Sequence, residues 1–389
     1  MEFELDEDQR ALRDSIERLL ADHYDMAQRK RYQQEDGGWS RALWQRYAEL
    51  GLLGLAIPAE HGGSECGPAE TSMVAEALGH ALILEPWLST AVLGVEAIKR
   101  AGSAAQQQDL LPRIAAGELT IGWAHDEQHP SGVPGVYAMA TRVPGGWQLV
   151  GAKHYVVHAD SVDRLLVTAR LVEGGKSEKL GLFLVDAKAQ GLIRKDFLTH
   201  DGMHAAHLTL RGVQVGEADW LCSGAAAGTD TSDAAHVIET LIDHGIATLC
   251  AEAVGVMQEM LDRTVEYLKT RQQFGVAIGT FQALQHRAVD MLVALDAARS
   301  MSLYANAMLG EADPVERRRA MAATKYQVGK SARYVGQQTV QLHGGMGMTI
   351  ETKAAQCFLR SSVIEQIFGA TPTHLRTLAR LGGLINADA

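Results

Sequence analysis

Helical periodicity gives way to short apolar segments punctuated by turns, and then it returns. Any architecture for this 389-residue chain has to reproduce that order. Leu12, Ile16, Leu19 and Leu20 fall on one helical face. A second helix is expected over 41–50, ended by Gly51, with Pro58 and Gly62-Gly63 marking a loop. Helical patterns resume over 70–84 and 88–101. Near Gly117 the texture changes. Segments at 136–143, 147–150, 155–157, 165–169, 180–185 and 208–213 are short and apolar, separated by glycine-containing turns. Small residues at 223–228 form a linker. Beyond it Leu249, Ala253, Val256, Met257, Met260, Leu261, Val265 and Leu268 recur at helical spacing over 246–269. Two more long helices are expected over 282–309 and 317–342, and a last one over 361–381. The division is a helical domain over 1–116, a small β barrel or sandwich over 117–228, and a helical bundle over 229–389: mainly α with a central β domain.

Charge narrows the function classes. The net charge of −11 argues against a nucleic-acid partner, which would need a basic face. The acidic start, Glu2-Phe3-Glu4-Leu5-Asp6, is unlike a secretory leader, and the sequence reads as cytoplasmic with no membrane partner. The four cysteines (Cys66, Cys222, Cys250 and Cys357) form no paired motif, so free thiols are expected and no metal site. The histidines of the middle region show no metal-ligand spacing on a helix. The Arg317-Arg318-Arg319 run is expected on a solvated helix face.

Two stretches carry most of the chemistry. The first is Tyr267-Leu268-Lys269-Thr270-Arg271-Gln272-Gln273-Phe274-Gly275, continuing to Thr280-Phe281-Gln282. The second is Gln341-Leu342-His343-Gly344-Gly345-Met346-Gly347. Each ends a long helix and turns through glycine. Arg271 can present a planar fork to a pyrophosphate, and Phe274 supplies a ring face. Gln282 and Gln341 offer amides, and Gly344-Gly345 removes side chains where a backbone approaches a ligand. Taken singly, Arg271 reads as a solvated residue and Gly344-Gly345 as a helix C-cap. Taken together, in this order and over the whole chain, they resemble the acyl-CoA dehydrogenase family. No GxGxxG follows a strand, so a Rossmann nucleotide site is not supported.

That resemblance implies FAD as cofactor, an acyl-CoA thioester as substrate and an electron-transfer flavoprotein as acceptor. It also implies an oligomer, because Arg271, Phe274, Gln282, Gln341, Gly344 and Gly345 match residues that reach a neighbour's FAD. The sequence then departs from the family. The reaction needs a carboxylate beside the thioester α-carbon. The family's Tyr-Glu-Gly-Thr turn aligns with Phe368-Gly369-Ala370-Thr371, which puts Gly369 in place of the base. The alternative location, counted back from Arg271, is Gly245. Asp243 points to another helical face and is a reserve candidate beside its reading as a capping or solvated residue. In the Thr-Glu-Pro…Gly-Ser segment, His125 replaces the Thr while Ser131 is retained; Thr371 is retained at the turn. Val157 replaces a flavin-contacting Thr, following Tyr155.

One half-site is thus kept and the other degraded. The chain resembles the small subunits of heteromeric acyl-CoA dehydrogenases of the pimeloyl-CoA and steroid side-chain types. The expected function is α,β-dehydrogenation of an acyl-CoA with a homologous partner subunit. Alternatives stay open: a homomer with a relocated base, a flavin oxidase or monooxygenase, or a flavin-free scaffold on the same fold.

Overall fold

The structure, a computed structural model, describes residues 6–128, 135–173, 176–221 and 234–382. The helices before the sheet are α1 (Glu7–His23), α2 (Met26–Tyr32), α3 (Arg41–Glu49), α4 (Pro68–Ala81), α5 (Val95–Ala101) and α6 (Ala104–Ala115). The sheet strands are β1 (Ile121–Ala124), β2 (Met139–Val143), β3 (Gly146–Val157), β4 (Arg164–Glu173), β5 (Lys176–Asp186), β6 (Leu192–Leu198), β7 (His204–Gly216) and β8 (Trp220–Leu221). Then come α7 (Ala235–Thr270), the two-residue strands β9 (Gln272–Gln273) and β10 (Val276–Ala277), and α8 (Gln282–Met308), α9 (Pro314–His343), α10 (Lys353–Gln366) and α11 (Thr371–Arg380). Helix, sheet, helix is the order expected. The chain divides into two compact units that interleave in sequence: 1–30, 68–83 and 245–389 in one, 31–67 and 84–244 in the other.

The first unit is helical. Asp6 and Gln9 form a reciprocal capping box at the start of α1, and Gln9 also donates to Glu70 of α4 at 2.7 Å. Helix α4 crosses α7 at a double glycine notch. A Cβ on Gly79 would lie 2.2 Å from the Glu252 carbonyl oxygen, and one on Gly255 would lie 1.9 Å from that of Glu76. Any larger residue at either place would force the helices apart. Helix α7 buries Leu249, Ala253, Val256, Met257 and Met260, each large side chain contributing about 1.5–3 kcal/mol. It is long and apolar enough in composition to cross a membrane, but 83% of its most apolar window is buried in the fold, so it serves as a core helix. Asp313 caps α9, Pro314 opens it, and α8, α10 and α11 pack along it.

The second unit holds the sheet, in order β6-β7-β3-β2-β4-β5-β8, with β1 parallel to β4 beyond β2. The sheet curls until Trp147 of β3 meets Phe183 of β5 and Trp220 of β8, with ring centroids at 5.8 and 5.1 Å. Helix α3 adds buried Trp44 and Tyr47 to this unit.

Several expectations are corrected. Helix α7 starts at Ala235, not near 246, because polar His236, Glu239, Asp243 and His244 interrupt the apolar signal. The last expected helix is two, broken at Phe368 (φ 56°) and Gly369 (φ 95°). Strand β6 has no counterpart among the expected segments, because its middle, Arg194-Lys195-Asp196, is the polar exposed stretch of an edge strand. The Arg317–Arg319 run is not a solvated face. Arg317 is buried and donates to the Glu311 carbonyl at 2.9 Å, and Arg319 donates to the Leu381 carbonyl at 2.8 Å. Cys250 and Cys357 are buried free thiols and Cys66 is half-buried. Cys222, Ser131 and the 223–228 linker lie outside the described residues.

Candidate functional site

At the C-terminal end of α7, the Arg271 amide donates to the Tyr267 carbonyl at 2.9 Å, closing the last turn. A two-residue hairpin follows. Gln273 pairs with Val276 and Gln272 with Ala277, across Phe274 (φ 55°) and Gly275 (φ 80°). Positive φ at both central residues is the condition of a type I′ turn, which glycine meets freely and phenylalanine only at a cost of about 1 kcal/mol or more. The turn thrusts Phe274 outward to 91% exposure, with its ring against the edge of Phe281 at 6.1 Å. Arg271, Gln282 and Gln341 are exposed as well.

The second stretch meets the first. His343, last residue of α9, stacks on Tyr267 at 4.6 Å and 24°. Its Nδ1 lies 2.8 Å from the Thr339 carbonyl. Gly344 then turns at φ 57°, and a Cβ on Gly344 or Gly345 would meet nothing within 4 Å. For Gly345 the fold itself gives no reason for glycine. An exposed arginine, an exposed ring and two glycines facing open space fit a phosphate-bearing flavin approached from outside this unit. The structure thus brings Arg271, Phe274, Gly344 and Gly345 to one end of the bundle, with Gln282 and Gln341 on the adjoining turns of α8 and α9.

Thr371 is elsewhere. It opens α11 against Gly329 of α9, where a Cβ would lie 2.4 Å from its Oγ1. Gly329 is fourteen residues from His343, about 21 Å along the helix. The Thr371 hydroxyl is buried with no hydrogen-bond partner among the described residues. Gly245 is at this same end of the bundle. A Cβ placed on it would meet Phe368 Cζ at 2.4 Å and Cε2 at 2.7 Å. The two alternative base positions therefore converge in space, and neither carries a carboxylate. Gly245 and Arg271 are about 39 Å apart along α7. The turn between α10 and α11 is clamped. Lys325 donates to the Ile364 carbonyl at 2.6 Å, and His374 Nε2 lies 2.9 Å from the Phe368 carbonyl. Burial pushes Lys325 down to about 8, against the pull of Cys250 and Glu365. Burial likewise holds His374 down at about 4.

Asp243, the reserve candidate for base, is 6% exposed and lies well inside α7, which begins at Ala235, so it is neither a cap nor a solvated residue. His80, Glu259 and Asp262 bring three ligand-type atoms within 4.8 Å of one another. The Glu259 oxygens, however, already take His80 at 2.9 Å, Arg263 at 2.8 Å and Lys353 at 3.0 Å. Burial raises the Glu259 pKa, yet these partners outweigh it and hold the carboxylate at about 2. The cluster ties α4, α7 and α10 together as an ion network.

In the sheet unit, β3 slips register against β7 between Lys153 and Val156, and Tyr155 (φ 56°) and His158 (φ 60°) turn sharply there. Val157, half-buried, has no polar side-chain atom. The His125 ring stacks on Trp123 at 5.2 Å and its Nδ1 lies 3.1 Å from Thr168 Oγ1. Burial, helped by the Lys153 charge, holds His125 down at about 3, so it is neutral at pH 7. Sequence reasoning missed the group behind it. Fully buried Lys153 donates to Glu127 at 2.6 Å, Thr168 at 2.9 Å and the His125 carbonyl at 3.1 Å. The polar partners of His125 are thus internal ones.

Residues 6–118 match the family described as "Acyl-CoA dehydrogenase, N-terminal domain", and residues 235–382 match "Acyl-CoA dehydrogenase, C-terminal domain". The chain is 30% identical to acyl-CoA dehydrogenase fadE12 of Mycobacterium bovis, covering 79% of each chain. Among solved structures it is similar to a variant of the Tcur3481-Tcur3483 steroid ACAD (28% identity, 96% and 97% coverage, TM-score 0.85). It is also similar to the ChsE4-ChsE5 complex from Mycobacterium tuberculosis (25% identity, 98% of both chains, TM-score 0.84). With the fold and these matches agreeing, the chain belongs to the acyl-CoA dehydrogenase family of oxidoreductases.

Proposed function

We propose that this chain is the base-lacking subunit of a heteromeric acyl-CoA dehydrogenase and completes the flavin site of a homologous, base-bearing subunit. One observation carries the reading. The two places for a base, Gly245 and Gly369, stand at one end of the helical bundle without a carboxylate, while the exposed flavin-type residues stand at the other. Bound FAD would supply the hydride acceptor. Removing the α-proton needs a base within hydrogen-bond reach, and at both family positions the chain carries glycine, with the Phe368 ring against Gly245. Its contribution would be at the far end: Arg271 could fork onto a diphosphate, Phe274 cover a ring, Gln282 and Gln341 donate from flanking helices, and Gly344-Gly345 let backbone approach. Ser131 and Thr371 match cofactor contacts of the family and belong to the same proposal.

The names of the two-component steroid ACAD and of the ChsE4-ChsE5 complex support a partner of the same fold. An acyl-CoA thioester as substrate, an electron-transfer flavoprotein as acceptor and a cytoplasmic location belong to the same proposal. Exposed Phe274, Val276, Phe281, Val289, Leu292 and Val293 on and beside α8 suit a subunit contact. The test is turnover of the chain alone and co-purified with a base-bearing homologue. Activity only in the mixture supports the reading, and full turnover by the chain alone contradicts it.

A further inference from the structure

The position where a base is missing is filled by another residue. The Phe368 ring tip touches the backbone of Gly245, so close that even a methyl group there would overlap it by more than about 1 Å. At the other position a Cβ on Gly369 would lie 3.2 Å from His374 Nε2. The ring is not a loose flap. Phe368 sits at φ 56°, a conformation a phenylalanine keeps only when its surroundings enforce it. The enforcement is visible on both sides. Lys325 holds the Ile364 carbonyl, His374 holds the Phe368 carbonyl at 2.9 Å, and the Gly369 amide donates to the Gln366 carbonyl at 3.2 Å. Gly369 follows at φ 95°, where a side chain is strained whatever the space.

We infer that Phe368 is a plug: its ring occupies the volume into which a base at 245 would project, and it closes this chain's own site to the α-carbon of a thioester. This deepens the base-lacking reading and rests on it for the identity of the two positions. The site is excluded by volume as well as by chemistry, so restoring a carboxylate alone cannot restore it. Gly245→Glu meets the ring at its first side-chain carbon, and Gly369→Glu meets the left-handed backbone.

The test compares binding of octanoyl-CoA and of coenzyme A alone to the full chain by anaerobic equilibrium dialysis. Coenzyme A lacks the acyl α-carbon, so the ratio of the two affinities isolates the plug from any effect on the nucleotide end. The wild-type chain is expected to bind octanoyl-CoA no more tightly than coenzyme A. In Phe368→Ala, octanoyl-CoA is expected to gain about tenfold over coenzyme A, a difference of about 1.4 kcal/mol. Should Phe368→Ala fail to fold, Phe368→Leu keeps an apolar side chain of smaller reach and is read in the same way. A wild-type chain that already prefers octanoyl-CoA tenfold overturns the plug, and so does a folded variant with an unchanged ratio. Failure of the subunit reading looks different: full FAD and turnover on the isolated chain, whatever the ratio.

Discussion

Gly245, inside α7, and Gly345, just beyond α9, are glycine for opposite reasons. At Gly245 an added Cβ would strike the chain's own Phe368 ring, so the fold itself demands glycine there. At Gly345 an added Cβ would meet nothing within 4 Å, and the backbone does not need positive φ. That openness, which Gly216 and Gly310 share, leaves room for something outside the unit. A glycine with an internal cause marks a volume already filled. The end bearing Gly345 is open, and at Gly245 the Phe368 ring fills the space. In the proposed function, the open end is the one that serves another chain's site.

This contrast can be broken from either end. Among changes at these two ends, the largest effect is expected for Arg271→Ala, which removes a charge-assisted contact worth about 1.5–3 kcal/mol. FAD should bind the co-purified complex roughly ten- to a hundredfold more weakly, as read by flavin release, while thermal stability of the chain holds. At the closed end, acid is the lever. His374 is neutral in the fold with a pKa of about 4, against about 6.5 when unfolded. The unfolded chain therefore takes the proton first, so stability is complete above pH 6.5 and falls as pH drops toward 4. At pH 5 this one histidine costs roughly 2 kcal/mol, measurable by denaturant unfolding, and His374→Gln should flatten that part of the profile. Gly345→Val should lower FAD content of the complex about tenfold and shift unfolding of the isolated chain by less than about 0.5 kcal/mol. A matching loss of stability would instead give that glycine an internal role. The smallest effect is for Gly245→Ala. Overpacking against Phe368 costs about 1–3 kcal/mol and helix propensity returns about 1, leaving about 1 kcal/mol of destabilisation. In a Phe368→Leu background the same change should become neutral or stabilising, which a double-mutant cycle reads directly.

Much of this is legible in the sequence, for physical reasons. The order of helix, sheet and helix follows from apolar period, and α8 and α9 are legible to within a few residues because Gly310, Asp313 and Pro314 punctuate them. The exposed cluster of Arg271, Phe274, Gly344 and Gly345 is legible because its residues are consecutive around helix ends. What escapes depends on distant partners. Nothing in the spacing joins Gly245 to Phe368, 123 positions on, or Lys153 to Glu127 and Thr168. Burial of Asp243 is hidden because a carboxylate in a polar stretch reads as solvated until the helix around it is seen to begin at Ala235. Breaking the Lys153–Glu127 ion pair with Lys153→Met would leave Glu127 buried and unpaired, a loss of about 3–5 kcal/mol.

The most direct measurement is FAD per chain, from the visible flavin absorbance and protein concentration, for the chain alone and for its complex with a base-bearing homologue. The expected value is near zero for the chain alone and one FAD per two chains in the complex. A value near one for the isolated chain, with turnover, would mean that it holds and uses its own flavin, and the division between a donating end and a closed end would be wrong.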